Sequence, residues 1–125
     1  MLFRSADTST TAEDEFFPGY ARSFTEIGRE RGWPPMTRAH FDAQLGPTGA
    51  LLVGDPETVA EKILRVNESL GGISRLTFQM SVADLPHAKV MRAIELIGTR
   101  VAPLVRRALG SATPALPSTK SERAA

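Results

Sequence analysis

Residue types able to do chemistry are few in this chain, and their spacing excludes more than it supports. There is no cysteine, which rules out disulfides, thiolate nucleophiles and cysteine-built metal sites. The two histidines, His40 and His87, lie far apart and make no metal-ligand pattern. His87 could touch a ligand from the first turn of a helix. No carboxylate or nucleophile pairs with it by spacing, so a solvated histidine is the better reading. His40 reads as a surface histidine for the same reason. The candidates that remain are suited to binding rather than to bond-breaking. Gly54 lets a backbone pass close to a ligand, and Asp55 follows it. Gln79 carries an amide, and Met80 and Ser81 come directly after it. Free N–H groups in the first turn of a helix that begins at Pro56 could receive an anion, although the charge of Asp55 opposes one. No nucleophile, general acid or general base can be named.

These residues need elements to hold them. The run Leu51-Leu52-Val53 is wholly apolar, as a strand buried on both faces should be. Gly54 allows a sharp exit, Asp55 is a good N-cap, and Pro56 suits the first helical position. Val59, Ile63, Val66 and Leu70 make the apolar stripe of the helix that follows. Glu57, Glu61, Lys62, Arg65 and Glu68 are assigned to its wet face. Gly71-Gly72 ends the helix, and Ile73 to Met80 reads as a second strand. There Leu76, Phe78 and Met80 alternate with Thr77 and Gln79. The whole stretch is one βαβ unit, with Val53 and Phe78 expected on neighbouring parallel strands. The polar face near Gln79 fits two readings equally: an inward face near the mouth of a β/α barrel, or an edge strand with one side in water.

On either side of this unit the pattern is helical. Met1-Leu2-Phe3 could end a strand, but residues 1–11 read better as a flexible N-terminus. A helix is expected from Ala12 to about Arg31, with a core stripe of Phe16, Tyr20, Phe24 and Ile27 and either a kink or a true start near Pro18. Thr37 caps a short helix from Arg38 to Leu45. Asp84 or Leu85 caps a long helix striped by Val90, Ile94, Ile97, Val101, Leu104 and Val105, which Pro103 should bend. Residues 109–125 are small, polar and proline-interrupted, and read as a disordered tail.

The stretch Val53-Gly54-Asp55-Pro56-Glu57-Thr58-Val59-Ala60-Glu61-Lys62-Ile63 resembles one near the end of luciferase-like monooxygenases. Gly72 to Met80 is similar to their eighth strand, and Leu85 to Pro103 to their closing helix. Tyr20-Ala21-Arg22 and Ile27 to Thr37 are similar to an insertion in one branch. The likeness covers residues 12–108. It implies an α/β fold, namely the C-terminal fragment of a TIM (β/α)8 barrel, mostly helical with two short parallel strands. It also implies a flavin-dependent monooxygenase or related oxidoreductase, with FMN or a reduced flavin or deazaflavin as cofactor and a small-molecule substrate. The cofactor would meet Gly54, Asp55, Gln79, Met80 and Ser81 at the C-terminal strand ends, and Gln79 would hydrogen-bond the rim of the isoalloxazine ring. A barrel needs at least about 200 residues, and this chain has 125. It matches only the last quarter to third of the family, so flavin binding and catalysis are not expected of it alone.

The totals narrow the partners. Net charge is +1, without the clustered basic excess of a nucleic-acid binder. No apolar run approaches the ~20 residues that span a bilayer, and no secretory leader is legible. A cytoplasmic location is the default expectation. A second reading, from another class, is a small helical module without catalysis that self-associates through exposed apolar helix faces.

Overall fold

The computed structural model describes residues 1–110, so the part of the expected tail from residue 111 on lies outside the described residues. The chain is α/β, mostly helical, with two short parallel strands. Strand β1 is Phe3–Ser5 and strand β2 is Leu52–Gly54, in the register Phe3 to Leu52, Arg4 to Val53 and Ser5 to Gly54. Helix α1 is Ser9–Arg31, α2 is Arg38–Leu45, α3 is Pro56–Ser69, α4 is His87–Leu96 and α5 is Ala102–Ala108.

The N-terminal residues, read as a loose start, hold the middle of the sheet. Phe3, Arg4 and Ser5 are all buried. On one side β1 pairs with β2. On the other, Leu2 bridges in parallel to Gln79, with Phe3 N–H donating to Gln79 O at 3.0 Å and Gln79 N–H to Met1 O at 2.9 Å. β1 thus lies between Val53 and Phe78, and the expectation that these two occupy neighbouring strands is corrected. Within residues 73–80 the chain bends at Ser74, and a single bridge at Gln79 replaces the expected regular strand. A strand too short to show alternation carries little sequence signal, which is why the strand reading of Met1-Leu2-Phe3 ranks below a frayed start from sequence although Phe3–Ser5 is a strand.

The spatial order across the sheet is therefore 73–80, β1, β2. The step from β1 to β2 and the step from β2 back across β1 run in opposite directions. Right-handed crossovers of opposite direction place their helices on opposite faces. Two separate cores follow. On one face Leu51 and Val53 pack with Phe16 and Tyr20 of α1 and with Phe41 of α2. On the other, Phe3 and Leu52 pack with Val59, Ala60 and Ile63 of α3, Ala93 of α4 and Val101. In a β/α barrel, by contrast, consecutive strands are neighbours and every helix lies outside.

Local chemistry sets most helix ends. Thr37 Oγ1 accepts from His40 N–H at 3.2 Å at the start of α2. Asp55 caps α3 with Pro56 in its first turn. Gly71 and Gly72, at φ 71° and 104°, take the left-handed backbone that ends α3 and that glycine adopts freely. Helix α1 starts three residues earlier than Ala12, capped by Thr8, and runs through Pro18. Of its expected stripe, Phe16 and Tyr20 are buried but Ile27 is 41 % exposed. Neither Asp84 nor Leu85 caps α4; Pro86 precedes it without a side-chain cap bond. Proline at 103 cannot donate to Thr99. The chain answers with a π-helical turn over Ile97–Val101, closed by Ala102 N–H to Ile97 O.

Candidate functional site

All three extended segments run parallel, so their carboxyl ends share one edge of the sheet, where ligands of α/β proteins bind. β1 is followed by α1 on one face, and 73–80 leads to α4, which contributes Ala93 to the other. The five residues singled out by sequence come to this edge in two groups. At the end of β2, Gly54 stands opposite Ser5 with φ 159°. A Cβ added there would lie 3.0 Å from Thr58 Cγ2 and 3.2 Å from Ser9 Oγ, so the space beside it is already filled by protein. Asp55 Oδ1 accepts from Thr58 N–H at 2.7 Å, and Asp55 N–H donates to Ser9 Oγ at 3.0 Å. Burial pushes the Asp55 carboxyl up. Hydrogen bonds from the main chain and side chain of Thr58 and from Ser9, with the charge of Arg100, outweigh it and hold the group below its ordinary value. Asp55 is engaged as a helix cap.

The second group lies beyond β1. Gln79 turns its side chain to solvent, while its main chain is committed to Met1 and Phe3. Exposure alternates through this segment: Thr77, Gln79 and Ser81 are exposed, and Leu76, Phe78 and Met80 are half-buried. The polar face near Gln79 is therefore the wet side of an edge segment. Met80 and Ser81 line an open hollow of ≈ 250 Å³ with Asp84, Leu85 and Val90. That is below the ~300 Å³ at which sites for drug-sized ligands begin, and Gly54 and Asp55 are not among its walls. The residues of this chain alone do not fit a flavin: one group is packed shut and the other is shallow. Among the described residues there is also no cluster of three histidine or acidic groups able to hold a metal.

Two arrangements at the sheet were not legible in the sequence. Buried Arg4 donates from Nη1 to Lys89 O at 2.6 Å and pairs through Nη2 with Glu15, which also meets Lys89 Nζ at 2.8 Å. This triad ties β1 to α1 and α4. Beside it Arg4 Nε and Ser5 Oγ are buried without a partner among the described residues. The other concerns Lys62, assigned to the wet face of α3 but 6 % exposed. Its stem crosses apolar surface and its ammonium ends among main-chain carbonyls. No spacing rule marks either, since each is made by residues distant in sequence. The histidines sit where expected: His40 on α2 and His87 in the first turn of α4 are both exposed.

No helix among the described residues is long and apolar enough to cross a membrane. Comparison of the chain with protein-family models and with curated proteins found no match.

Proposed function

We propose that the chain forms part of a flavin-dependent oxidoreductase of the luciferase-like kind. In this reading β1 gives up its place between β2 and residues 73–80 in a longer assembly, residues 12–108 contribute the closing portion of a TIM barrel, and that assembly holds the FMN, reduced flavin or deazaflavin and the small-molecule substrate. The observation that carries the reading is the turn Val53-Gly54-Asp55-Pro56. The stretch that resembles the family forms the carboxyl end of a buried parallel strand and passes directly into an Asp55-capped helix, at the edge where barrel and doubly wound proteins bind their ligands. The flavin, when bound, supplies the redox chemistry, and the protein supplies binding and orientation. This chain by itself does not bind it. Thr58 and Ser9 occupy the room beside Gly54, and Gln79 faces water.

A titration of FMN followed by its fluorescence tests this. The chain alone should give no saturable quenching. Co-expression with the first six strands of a luciferase-like barrel should give a yellow protein. Stoichiometric binding by the chain alone overturns the partial-barrel reading, and no binding with those strands supplied overturns the family reading.

A second reading, a self-associating module without catalysis, is favoured by one observation. Trp33, Met91 and Ile94 are each about half exposed, at 50 %, 49 % and 47 %.

A further inference from the structure

We propose that the open edge of residues 76–80 is a dimerisation surface and that its occupant is the same segment of a second copy, paired antiparallel about a two-fold axis at Phe78. This deepens and rests on the self-association reading; in the flavin reading the same edge would be paired with another strand of the closed barrel.

The main chain chooses the edge. Met1 N donates to Thr77 O at 2.8 Å, and Gln79 uses both its N–H and its C=O toward β1. Thr77 and Gln79 thus face inward along the sheet. In an extended chain the groups of alternate residues point the opposite way, so Leu76, Phe78 and Met80 present theirs outward. None of these has a main-chain partner among the described residues. Edges of this kind are usually blunted by lysine, proline or a bulge. The run Leu76-Thr77-Phe78-Gln79-Met80 contains no lysine and no proline.

Self-complementarity chooses the occupant. A two-fold at Phe78 pairs Phe78 with itself, Leu76 with Met80 and Met80 with Leu76. These are the residues whose N–H and C=O groups point outward, so each pair can exchange both hydrogen bonds. The same operation sets Thr77 opposite Gln79. Apolar side chains then meet apolar ones on the face already packed against Phe3, where the Phe3 and Phe78 rings lie 4.9 Å apart. Polar side chains meet polar ones on the wet face. Shifting the register by one residue would break both matches. Beside the edge the apolar surface continues onto α4. Met80 shares its hollow with Val90, and Ile94, one turn on, is exposed together with Met91. The pairing is isologous, so one patch serves both subunits and the assembly closes at two.

Analytical ultracentrifugation of the full chain over a concentration series tests the register directly. The parent should form a dimer that dissociates on dilution. The double variant Thr77→Lys, Gln79→Lys sets like charges opposite each other across the axis and should raise the dissociation constant on the order of tenfold. The double variant Thr77→Lys, Gln79→Glu sets opposite charges there and should keep or tighten the dimer. Both sites are exposed in one copy, so circular dichroism of the two variants should match the parent. A parent that stays monomeric at every concentration overturns the proposal and the self-association reading with it. A dimer equally strong in both variants overturns the proposed surface and leaves self-association through another face.

Discussion

The ammonium nitrogen of Lys62 lies 2.5 Å from the carbonyl oxygen of Leu51, on the side of β2 that faces away from β1. It donates as well to the carbonyls of Gln44 at 3.2 Å and Leu45 at 3.4 Å. One buried cation therefore closes two open ends: the outer edge of β2, and the carboxyl end of α2, where the helix dipole favours positive charge. No carboxylate pairs with it among the described residues.

Replacing Lys62 by Met should destabilise the fold by about 1–3 kcal/mol, because the buried carbonyls lose their donor. The pH dependence carries a second signature. Burial lowers the lysine below its ordinary value of 10.5. Between the lowered folded value and 10.5 the unfolded chain binds more protons, so stability rises with pH across that window. Urea unfolding at neutral and alkaline pH measures both effects. The variant should be weaker at neutral pH and should lack the alkaline rise; a variant as stable as the parent would refute the capping role.

The triad of Arg4, Glu15 and Lys89 gives a slope of the same sign, at the acid end of the pH range. Burial pushes the Glu15 carboxyl up, but hydrogen bonds from Lys89 and Arg4, with the charges of both, hold it below the ordinary 4.5. Its contribution is complete above that ordinary value and is lost as pH falls through the folded one. Glu15→Gln should cost about 3 kcal/mol near neutral pH, since it leaves Arg4 buried without its carboxylate, and should flatten the acid limb of the stability curve. Thermal melts from pH 3 to 7 read both. An unchanged acid limb would show that the triad is not what the low-pH loss reports.

Some of this was written locally in the sequence and some was not. The turn at Gly54-Asp55-Pro56, the Thr37 cap and the alternation from Leu76 to Met80 all depend on neighbours within a few residues, and they were legible. β1 was not: Phe3–Ser5 owes its place to Leu52 and Gln79, far along the chain, and three residues carry no period. Once β1 is missed, Val53 and Phe78 become false neighbours and the layering is misjudged. Lys62 fails for a related reason. Its spacing puts it beside the apolar stripe, and only the carbonyls of Gln44 and Leu51 explain why it turns inward. For the candidate site, the strand ends were found but not what fills them, because Thr58 and Ser9 reach Gly54 from two different helices.

Packing across the sheet end should be equally specific at Gly19. This residue lies inside α1, where alanine would ordinarily gain about 1 kcal/mol in helix propensity. A Cβ there would fall 1.8 Å from the carbonyl oxygen of Ala83, a main-chain atom with no rotamer to escape into. The neighbouring Val82 carbonyl accepts from Ser23 Oγ at 2.8 Å, which fixes the loop against the helix. Gly19→Ala must therefore push residues 82–83 off α1 and should cost about 2 kcal/mol net of the propensity gain. Gly98→Ala is the matched control. Nothing lies within 4 Å of its Cβ position, so alanine should leave stability unchanged or raise it by up to about 1 kcal/mol. Chemical denaturation ranks the pair, and amide hydrogen exchange locates the damage: Gly19→Ala should speed exchange at residues 81–85 and leave β1 protected. Equal stability of the two variants would mean that the contact between Ala83 and α1 is loose, and that the loop between residues 80 and 86 is not held by this helix.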